Sequence, residues 1–171
     1  LKPLTGHTKL VSNLPYYCST EILFTIAKDY EINEIYVMMQ KELAQRIVAR
    51  PGNKQYGALT VTLGYYFDIQ VLFDIGKNSF VPKPEVNSSF LKFIRKPGNR
   101  LNQEQRNMFH MLVKSAFWGR RKTIYKALKD TPHISLDNER LDSMFAELHI
   151  EKSKRAEQLA VDDFVAMAQF L

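Results

Sequence analysis

The chain has 171 residues, of which 45% are hydrophobic and 12% aromatic, so it is long enough to bury a core and to form one or two domains. Its 24 Lys and Arg residues exceed its 18 Asp and Glu residues and give a formal net charge of +6. No apolar stretch approaches the roughly 18 residues of a membrane span and no leader marks secretion. The single cysteine excludes an internal disulfide and a zinc-binding cysteine cluster. These features predict a soluble cytoplasmic protein without membrane attachment or bound metal.

The first hundred residues alternate between strand and helix patterns. Residues 9–12 predict a short buried strand, and Ser19 is suited to cap a helix whose apolar residues follow helical spacing. The pattern continues with a strand over 34–39, helices over 41–49 and 58–66, and strands over 67–75 and 88–94. This alternation predicts an α/β fold.

Lys96-Pro97-Gly98-Asn99 interrupts this pattern, and every element predicted after it is helical. Apolar stripes at helical spacing occupy three stretches: Phe109 to Phe117, which Gly119 can terminate, Leu141 to Leu148, and Val161 to Leu171. Such stripes indicate a helical core and no binding function. The sequence therefore predicts two domains, 1–97 and 98–171.

The tetrapeptide Asn13-Leu14-Pro15-Tyr16 is the most informative motif for chemistry. The amine of adenine is a poor nucleophile until its nitrogen is forced toward tetrahedral geometry. The Asn13 side-chain oxygen and the Leu14 carbonyl can each accept one of its N–H groups, while Pro15 contributes no competing donor. Tyr16 can stack on the base, an interaction worth roughly 1–3 kcal/mol. The motif suggests methyl transfer to adenine, with Asn13, Leu14 and Tyr16 as its catalytic residues.

An ordinary turn is the alternative interpretation of this motif, because Asn-x-Pro is a common turn sequence. Two features favour a functional role. The complete tetrapeptide is rarer than Asn-x-Pro, and it follows a predicted strand, where open α/β sheets bind ligands.

Several ordered motifs together resemble the ribosomal RNA small-subunit adenine dimethyltransferase family. They comprise Asn13-Leu14-Pro15-Tyr16 with Ser19, Met39-Gln40-Lys41-Glu42 with Ala44 and Arg46, Tyr56-Gly57, the segment Phe80 to Ser89, Arg120-Arg121-Lys122-Thr123, and Arg155 to Leu159. The resemblance spans nearly the whole chain. One departure is Tyr17-Cys18, which stand where the family more often has Asn-Ile.

This resemblance implies a fold, a reaction and a cofactor. The fold is the C-terminal half of a Rossmann-like methyltransferase sheet, followed by a small all-α domain that contacts RNA. The reaction is transfer of methyl groups from S-adenosylmethionine to two adjacent adenines near the 3' end of small-subunit rRNA, so the partner is rRNA in a 30S-type ribosomal particle. The resemblance further implies that Asn13 and Pro15 contact the cofactor and that Phe80 faces the target base opposite Tyr16.

The glycine-rich cofactor loop expected of this family has no counterpart in the sequence. Its seven glycines are scattered, and Leu1-Lys2-Pro3 resembles the segment just after the family's Asp-Ala motif. We therefore expect a chain that lacks the N-terminal half of the enzyme and has little or no activity alone.

Basic residues are concentrated between Val86 and Lys129, where eleven Lys and Arg residues accompany one acid, Glu104. This concentration is typical of a surface that binds a phosphate backbone. The helical spacing of Lys122, Lys126 and Lys129 predicts that these three lie on one side of a helix, which favours RNA binding. The predicted RNA-binding residues are Arg120, Arg121, Lys122 and Lys126. A solvated basic face compensated by acids elsewhere is the alternative.

Other assignments remain open on sequence grounds. The prolines around Phe80 are equally suited to stiffening a loop between strands. The whole protein could be a non-catalytic RNA-binding or ribosome-assembly factor, or a resistance methyltransferase of large-subunit rRNA. The intact tetrapeptide favours the enzyme over the assembly factor, because RNA binding alone does not need two paired acceptors.

Overall fold

The computed structural model describes residues 8–98, 100–119 and 121–171, and these form two compact units. The first unit contains the described residues up to Ala49 together with Tyr66–Pro97, and the second contains Arg50–Tyr65 together with Gly98–Leu171. One division between the units falls after residue 97. Residues 50–65, however, group with the second unit and not with the sheet.

Contacts within the second unit explain this grouping of residues 50–65. The Tyr65 ring lies 4.7 Å from the Phe109 ring, measured between centroids. The Gly52 amide donates a 2.7 Å hydrogen bond to the Glu157 carbonyl. An apolar helix binds wherever its buried face finds partners, which the periodicity of the helix itself does not specify. The methyltransferase role suggested for the first domain and the RNA-contacting role suggested for the second stay predictions.

A four-stranded sheet forms the centre of the first unit. Its strands are β1 (Lys9–Asn13), β2 (Glu34–Gln40), β3 (Phe67–Ile75) and β4 (Ser88–Arg95), in the order β1-β2-β4-β3. β1 and β2 are parallel, whereas β4 runs antiparallel to both of its neighbours. The unit is therefore mixed α/β, as the sequence predicts.

The helices of the first unit are α1 (Ser19–Asp29) and α2 (Lys41–Ile47). α1 buries Leu23, Ile26 and Ala27, and alternate residues of β2 are buried, including Ile35 and Val37. A side-chain period near 3.6 in the helix and of 2 in the strand produces these two patterns. Both elements thus turn one apolar face toward the core.

Arg95, the last residue of β4, ties the end of α1 to the sheet. Its guanidinium donates hydrogen bonds to the carbonyls of Ile26, Ala27, Tyr30 and Ile32. The guanidinium carbon also lies 4.7 Å from the centroid of the Phe67 ring. Two of these carbonyls, those of Ile26 and Ala27, belong to the last turn of α1, and the Ile26 carbonyl also accepts the Tyr30 amide. Burial lowers the pKa of Arg95 from its ordinary value.

The second unit is built from helices. They are α3 (Ala58–Tyr66, whose last residue falls in the first unit), α4 (Gln103–Trp118), α5 (Ile124–Lys129), α6 (Asn138–Glu147) and α7 (Val161–Phe170). α4 begins with a reciprocal capping box between Asn102 and Gln105 and ends at Gly119, as its sequence predicts. None of the helices in the described parts of the chain is long and apolar enough to cross a membrane.

Two local predictions are corrected by the structure. Ser19 is not the cap of α1: Cys18 occupies that position, and the Ser19 hydroxyl instead donates a 2.7 Å hydrogen bond to the Pro15 carbonyl. Lys122 does not share a helix with Lys126, because Thr123 caps α5 and the helix begins only at Ile124. In both places a turn next to the helix decides the outcome, which helical spacing alone does not reveal.

Candidate active site

The strand order brings several loops to one edge of the sheet. Because β1 and β2 are parallel, their carboxyl ends lie together, with Asn13 in register with Met38. β4 is antiparallel, so its first residue, Ser88, lies at the same edge, opposite both Gln40 and Ile75. Segments far apart in the sequence therefore meet beside the Asn13-Leu14-Pro15-Tyr16 tetrapeptide.

Backbone hydrogen bonds fix the conformation of the tetrapeptide. The Leu14 amide donates to the Met38 carbonyl at 3.1 Å, which continues the β1–β2 pairing one residue past the strand. The Pro15 carbonyl accepts from the Cys18 amide at 3.3 Å and from the Ser19 hydroxyl. The Leu14 side chain is buried. The loop is thus held at both ends and anchored in the core.

The Asn13 side-chain oxygen and the Leu14 carbonyl are the two oxygens predicted to accept the adenine amine. Among the residues that the structure describes, none donates a hydrogen bond to the Asn13 side-chain oxygen or to the Leu14 carbonyl. Asn13 is exposed at the end of β1, and both residues line a cleft of about 300 Å³. Two acceptors are therefore available to a ligand with two N–H groups.

Tyr16 is held by a residue that sequence reasoning missed. The hydroxyl groups of Tyr16 and Ser88 form a hydrogen bond at 2.7 Å, across a separation of 72 residues. Ser88 is fully buried, with 0% of its surface exposed, so this bond is shielded on its serine side. It fixes the far end of the Tyr16 ring, while the loop backbone fixes the near end. The only sequence signal was the position of Ser88 within the motif after Phe80.

Phe80 contributes to the same cleft. Beside the four residues of the tetrapeptide, the lining includes Met38, Phe80, Pro82 and Pro84. Two aromatic side chains, those of Tyr16 and Phe80, thus share one apolar cleft whose volume suits a flat heterocycle. No Lys or Arg is among the described residues that line it.

A polar network supports the start of β4. The Asp74 carboxylate accepts one hydrogen bond from the Lys41 ammonium and one from the Ser89 hydroxyl, each at 2.6 Å. Asn87 accepts a 3.0 Å bond from the Lys77 amide through its side chain. The bonds from Lys41 and Ser89 hold the pKa of Asp74 below its usual value. These contacts hold the base of the loop that carries Phe80.

A second cavity of about 250 Å³ lies beside this network, lined by Gln40, Lys41, Glu42, Lys77, Glu85, Val86 and Asn87. It contains neither a member of the tetrapeptide nor an aromatic side chain. The 300 Å³ cleft is therefore the better candidate for a base.

The predicted RNA-binding residues belong to the second unit and differ in their surroundings. Arg120 lies outside the described residues. Arg121 and Lys126 are exposed, whereas Lys122 forms a 2.8 Å ion pair with Asp130. The neighbouring lysine ammonium groups, Lys122 above all, hold the pKa of Asp130 below its usual value. The charge of Lys122 is therefore partly neutralised within the chain, which its sequence spacing did not indicate.

Comparison with known proteins establishes the family. Residues 5–171 match the model of the ribosomal RNA adenine dimethylase family. The chain belongs to this family. The resemblance inferred from the ordered motifs is thereby confirmed.

Curated relatives agree with the family match. The chain is 36% identical over 157 residues to a ribosomal RNA small subunit methyltransferase A of Clostridium botulinum (strain Okra / Type B1), covering 91% of this chain and 56% of that protein. It is 32% identical over 164 residues to the protein of the same name from Bacillus mycoides, covering 95% and 56%. The chain thus spans little more than half the length of these relatives.

Solved structures show the same fold. A dimethyladenosine transferase from Plasmodium falciparum superposes with a TM-score of 0.82 at 22% identity, over 97% of this chain and 67% of that one. The 23S rRNA methyltransferase ErmE gives 0.69 at 17% identity, over 99% and 68%. Together with the sheet described above, they confirm the predicted methyltransferase fold class.

Proposed function

We propose that this chain provides the target-adenine site of an S-adenosylmethionine-dependent dimethyltransferase that acts on adjacent adenines of small-subunit rRNA. The observation that carries the proposal is a pair of acceptors to which no described residue donates, Asn13 Oδ1 and the Leu14 carbonyl, beside the rings of Tyr16 and Phe80 in one cleft. The family match and the names of the curated relatives support the choice of rRNA adenine as substrate. The predicted 30S-type particle and cytoplasmic location belong to the same proposal.

The first task of the site is to hold an everted adenine. An adenine in a duplex or stacked strand must leave its neighbours to reach an enzyme pocket, at a cost of a few kcal/mol. The Tyr16 and Phe80 rings offset this cost by covering the base. Because Ser88 holds the Tyr16 hydroxyl, the Tyr16 ring loses little freedom when the base arrives.

The second task is to activate the amine. Asn13 Oδ1 and the Leu14 carbonyl each accept one N–H, which directs both hydrogens to one side and leaves the nitrogen lone pair pointing away from them. Conjugation with the ring is thereby reduced and nucleophilicity raised. Once the nitrogen has gained a methyl group it is cationic, and these two oxygens stabilise the positive charge until a proton passes to water. No side chain needs to act as a base before transfer.

The residues that line the cleft fit a sulfonium methyl donor. The absence of Lys and Arg from the described lining avoids repulsion of a cation, and the carbonyl and amide oxygens attract it. When bound, S-adenosylmethionine would supply the electrophilic methyl group, its S–CH3 bond breaking to leave the neutral thioether S-adenosylhomocysteine. Asn13 and Pro15 are the residues of this chain that we assign to the edge of its site.

The test uses Asn13→Ala in the full-length natural polypeptide that contains this sequence. Removing one preorganised hydrogen-bonding group from a reaction centre lowers the rate by about 10²–10³-fold, and we expect a loss of this order in labelled methyl transfer to under-methylated small subunits. The affinity for rRNA should stay unchanged. Asn138→Ala, at an exposed position in the second unit, is the matched control and should retain activity.

Three results would contradict the proposal. Equal losses of methylation and RNA affinity in Asn13→Ala would show that Asn13 has a structural role. A full-length parent protein that binds rRNA but transfers no methyl group would favour the assembly-factor alternative, and transfer to large subunits only would favour the resistance-enzyme alternative.

A further inference from the structure

One face of α4 exposes several large side chains. Asn107, Met111, Lys114 and Trp118 follow one another at intervals of four, three and four residues, so they lie on the same side of the helix. All four are exposed, including 38% of Met111 and 62% of Trp118. The opposite side buries Phe109, Leu112, Val113 and Ala116. Trp118, the single tryptophan of the chain, is thus directed away from the core.

The Trp118 ring is exposed but not loose. It meets the His133 ring edge-on, with 4.9 Å between centroids and an angle of 88° between planes. Such T-shaped contacts stabilise an aromatic pair by about 0.5–1.5 kcal/mol beyond simple burial. A ring already held in place loses little conformational entropy when a second flat molecule covers it.

The residues near Trp118 in the sequence are rich in positive charge, which favours an anionic partner. The stretch from Gln105 to Lys129 contains seven basic residues and no acidic one: Arg106, Lys114, Arg120, Arg121, Lys122, Lys126 and Lys129. Lys122 is paired with Asp130. Lys114 and Arg121, by contrast, are exposed and form no ion pair with any residue in the described ranges. Lys114 lies one turn before Trp118 and Arg121 three residues after it.

We propose that Trp118 stacks on an unpaired base of an RNA strand whose phosphates are neutralised by Lys114 and Arg121. An exposed ring between cations is the arrangement by which proteins hold single-stranded RNA: the ring covers a base and the cations follow the backbone. The contact rests on the proposed function only in taking RNA as the partner. It assigns a second base contact, carried by the second unit, whereas the target adenine is held by the first.

A protein partner fits these observations less well. A stable protein interface buries about 800 Å² on each side. Here only Met111 and Trp118 are exposed apolar side chains on the face, and Lys114 separates them. A nucleobase, by contrast, needs only one aromatic ring to stack on, which Trp118 provides.

Fluorescence of Trp118 tests the stacking directly. Titration of the purified protein with a single-stranded RNA oligonucleotide should quench the Trp118 emission, because a stacked base is in van der Waals contact with the indole. The W118F variant provides the blank. An abasic oligonucleotide of the same length keeps the phosphates but has no base to stack, so it should bind more weakly and leave the emission unchanged.

Affinity measurements complete the test. W118A should weaken binding of the oligonucleotide roughly 5- to 150-fold, as expected for the loss of one stacked base, while W118F should retain most of the affinity. Tyr30→Ala, which removes an exposed ring from the first unit, is the matched control and should bind as the parent does. Circular dichroism of each variant identifies any loss of folding, and W118F keeps the comparison valid if W118A is unstable.

The outcomes separate this inference from the proposed function. Equal quenching by the abasic oligonucleotide, or parental affinity in W118A, would overturn the stacking contact and leave methylation untouched. A parent protein that binds no RNA at all would overturn both. Reduced affinity in W118A with normal methylation at saturating rRNA would support the contact and show that it is separate from the chemistry.

Discussion

The hydrogen bond between Tyr16 and Ser88 makes a quantitative prediction about how the cleft holds its base. Removing the Ser88 hydroxyl by Ser88→Ala leaves the ring of Tyr16 in place but frees its far end. A neutral hydrogen bond between side chains contributes about 0.5–1.5 kcal/mol net, and this one is 2.7 Å long and fully buried on its serine side. We take about 1 kcal/mol, which corresponds to a roughly fivefold effect at 25 °C.

The effect should appear in the chemical step. If the bond orients the ring against the target adenine, then Ser88→Ala should lower kcat for methyl transfer about fivefold and change the KM for rRNA little, because the rest of the RNA surface is intact. Tyr16→Phe removes the same bond from the other side and should give a loss of similar size. The double variant should lose no more than either single variant, since the bond can be removed only once.

The test compares steady-state methylation by the parent, Ser88→Ala, Tyr16→Phe and the double variant. The free energy of unfolding of each protein is measured in urea. Multiplied losses in the double variant would show that the two hydroxyl groups act independently and would refute the coupling. An unchanged kcat in Ser88→Ala, with a lower free energy of unfolding, would show that the bond stabilises the fold without orienting the ring. Ser88→Thr keeps a hydroxyl and should recover part of the rate if the added methyl group fits the buried position.

Two further predictions concern the scaffold of the first unit. Arg95→Met removes the hydrogen bonds to four backbone carbonyls and should lower the free energy of unfolding, measured by urea denaturation, by about 2–4 kcal/mol. The control Lys28→Met, at an exposed position, should change it by less than about 0.5 kcal/mol. An equally small change in Arg95→Met would show that water satisfies the carbonyls in place of the guanidinium. The pKa of Asp74 is lower in the folded protein than its ordinary value near 3.9, so its contribution is complete above about pH 5 and disappears as the pH falls through the folded pKa. Asp74→Asn should therefore show a weaker loss of stability between pH 5 and pH 2 than the parent, and parallel curves for the two proteins would contradict the role of this network.

Much of the fold followed from local patterns. α3 and β3 begin and end where their sequence predicts, and β2 and β4 differ by one residue at their ends. Buried residues alternate along β2, and α3 is apolar along its whole length; both are local signals that depend only on near neighbours in the chain. The tetrapeptide after β1 and the family were likewise recognisable, because motif order is a property of the sequence.

Other features depended on which distant segments meet. Ser88 and Tyr16 are 72 residues apart, and Asp74 connects Lys41 with Ser89. No spacing rule predicts such pairs, because they exist only once β4 has paired with both β2 and β3.

By itself, the sequence determined the succession of strands and helices, the chemical groups offered to an adenine, and the concentration of positive charge in the second half of the chain. Only the tertiary structure decided that Ser88 forms a hydrogen bond with Tyr16, that Asp130 pairs with Lys122, and that residues 50–65 join the helical unit. The reason is physical: secondary structure is favoured by residues within a few positions, whereas a site is formed where the packing of a whole unit brings remote side chains within hydrogen-bonding distance.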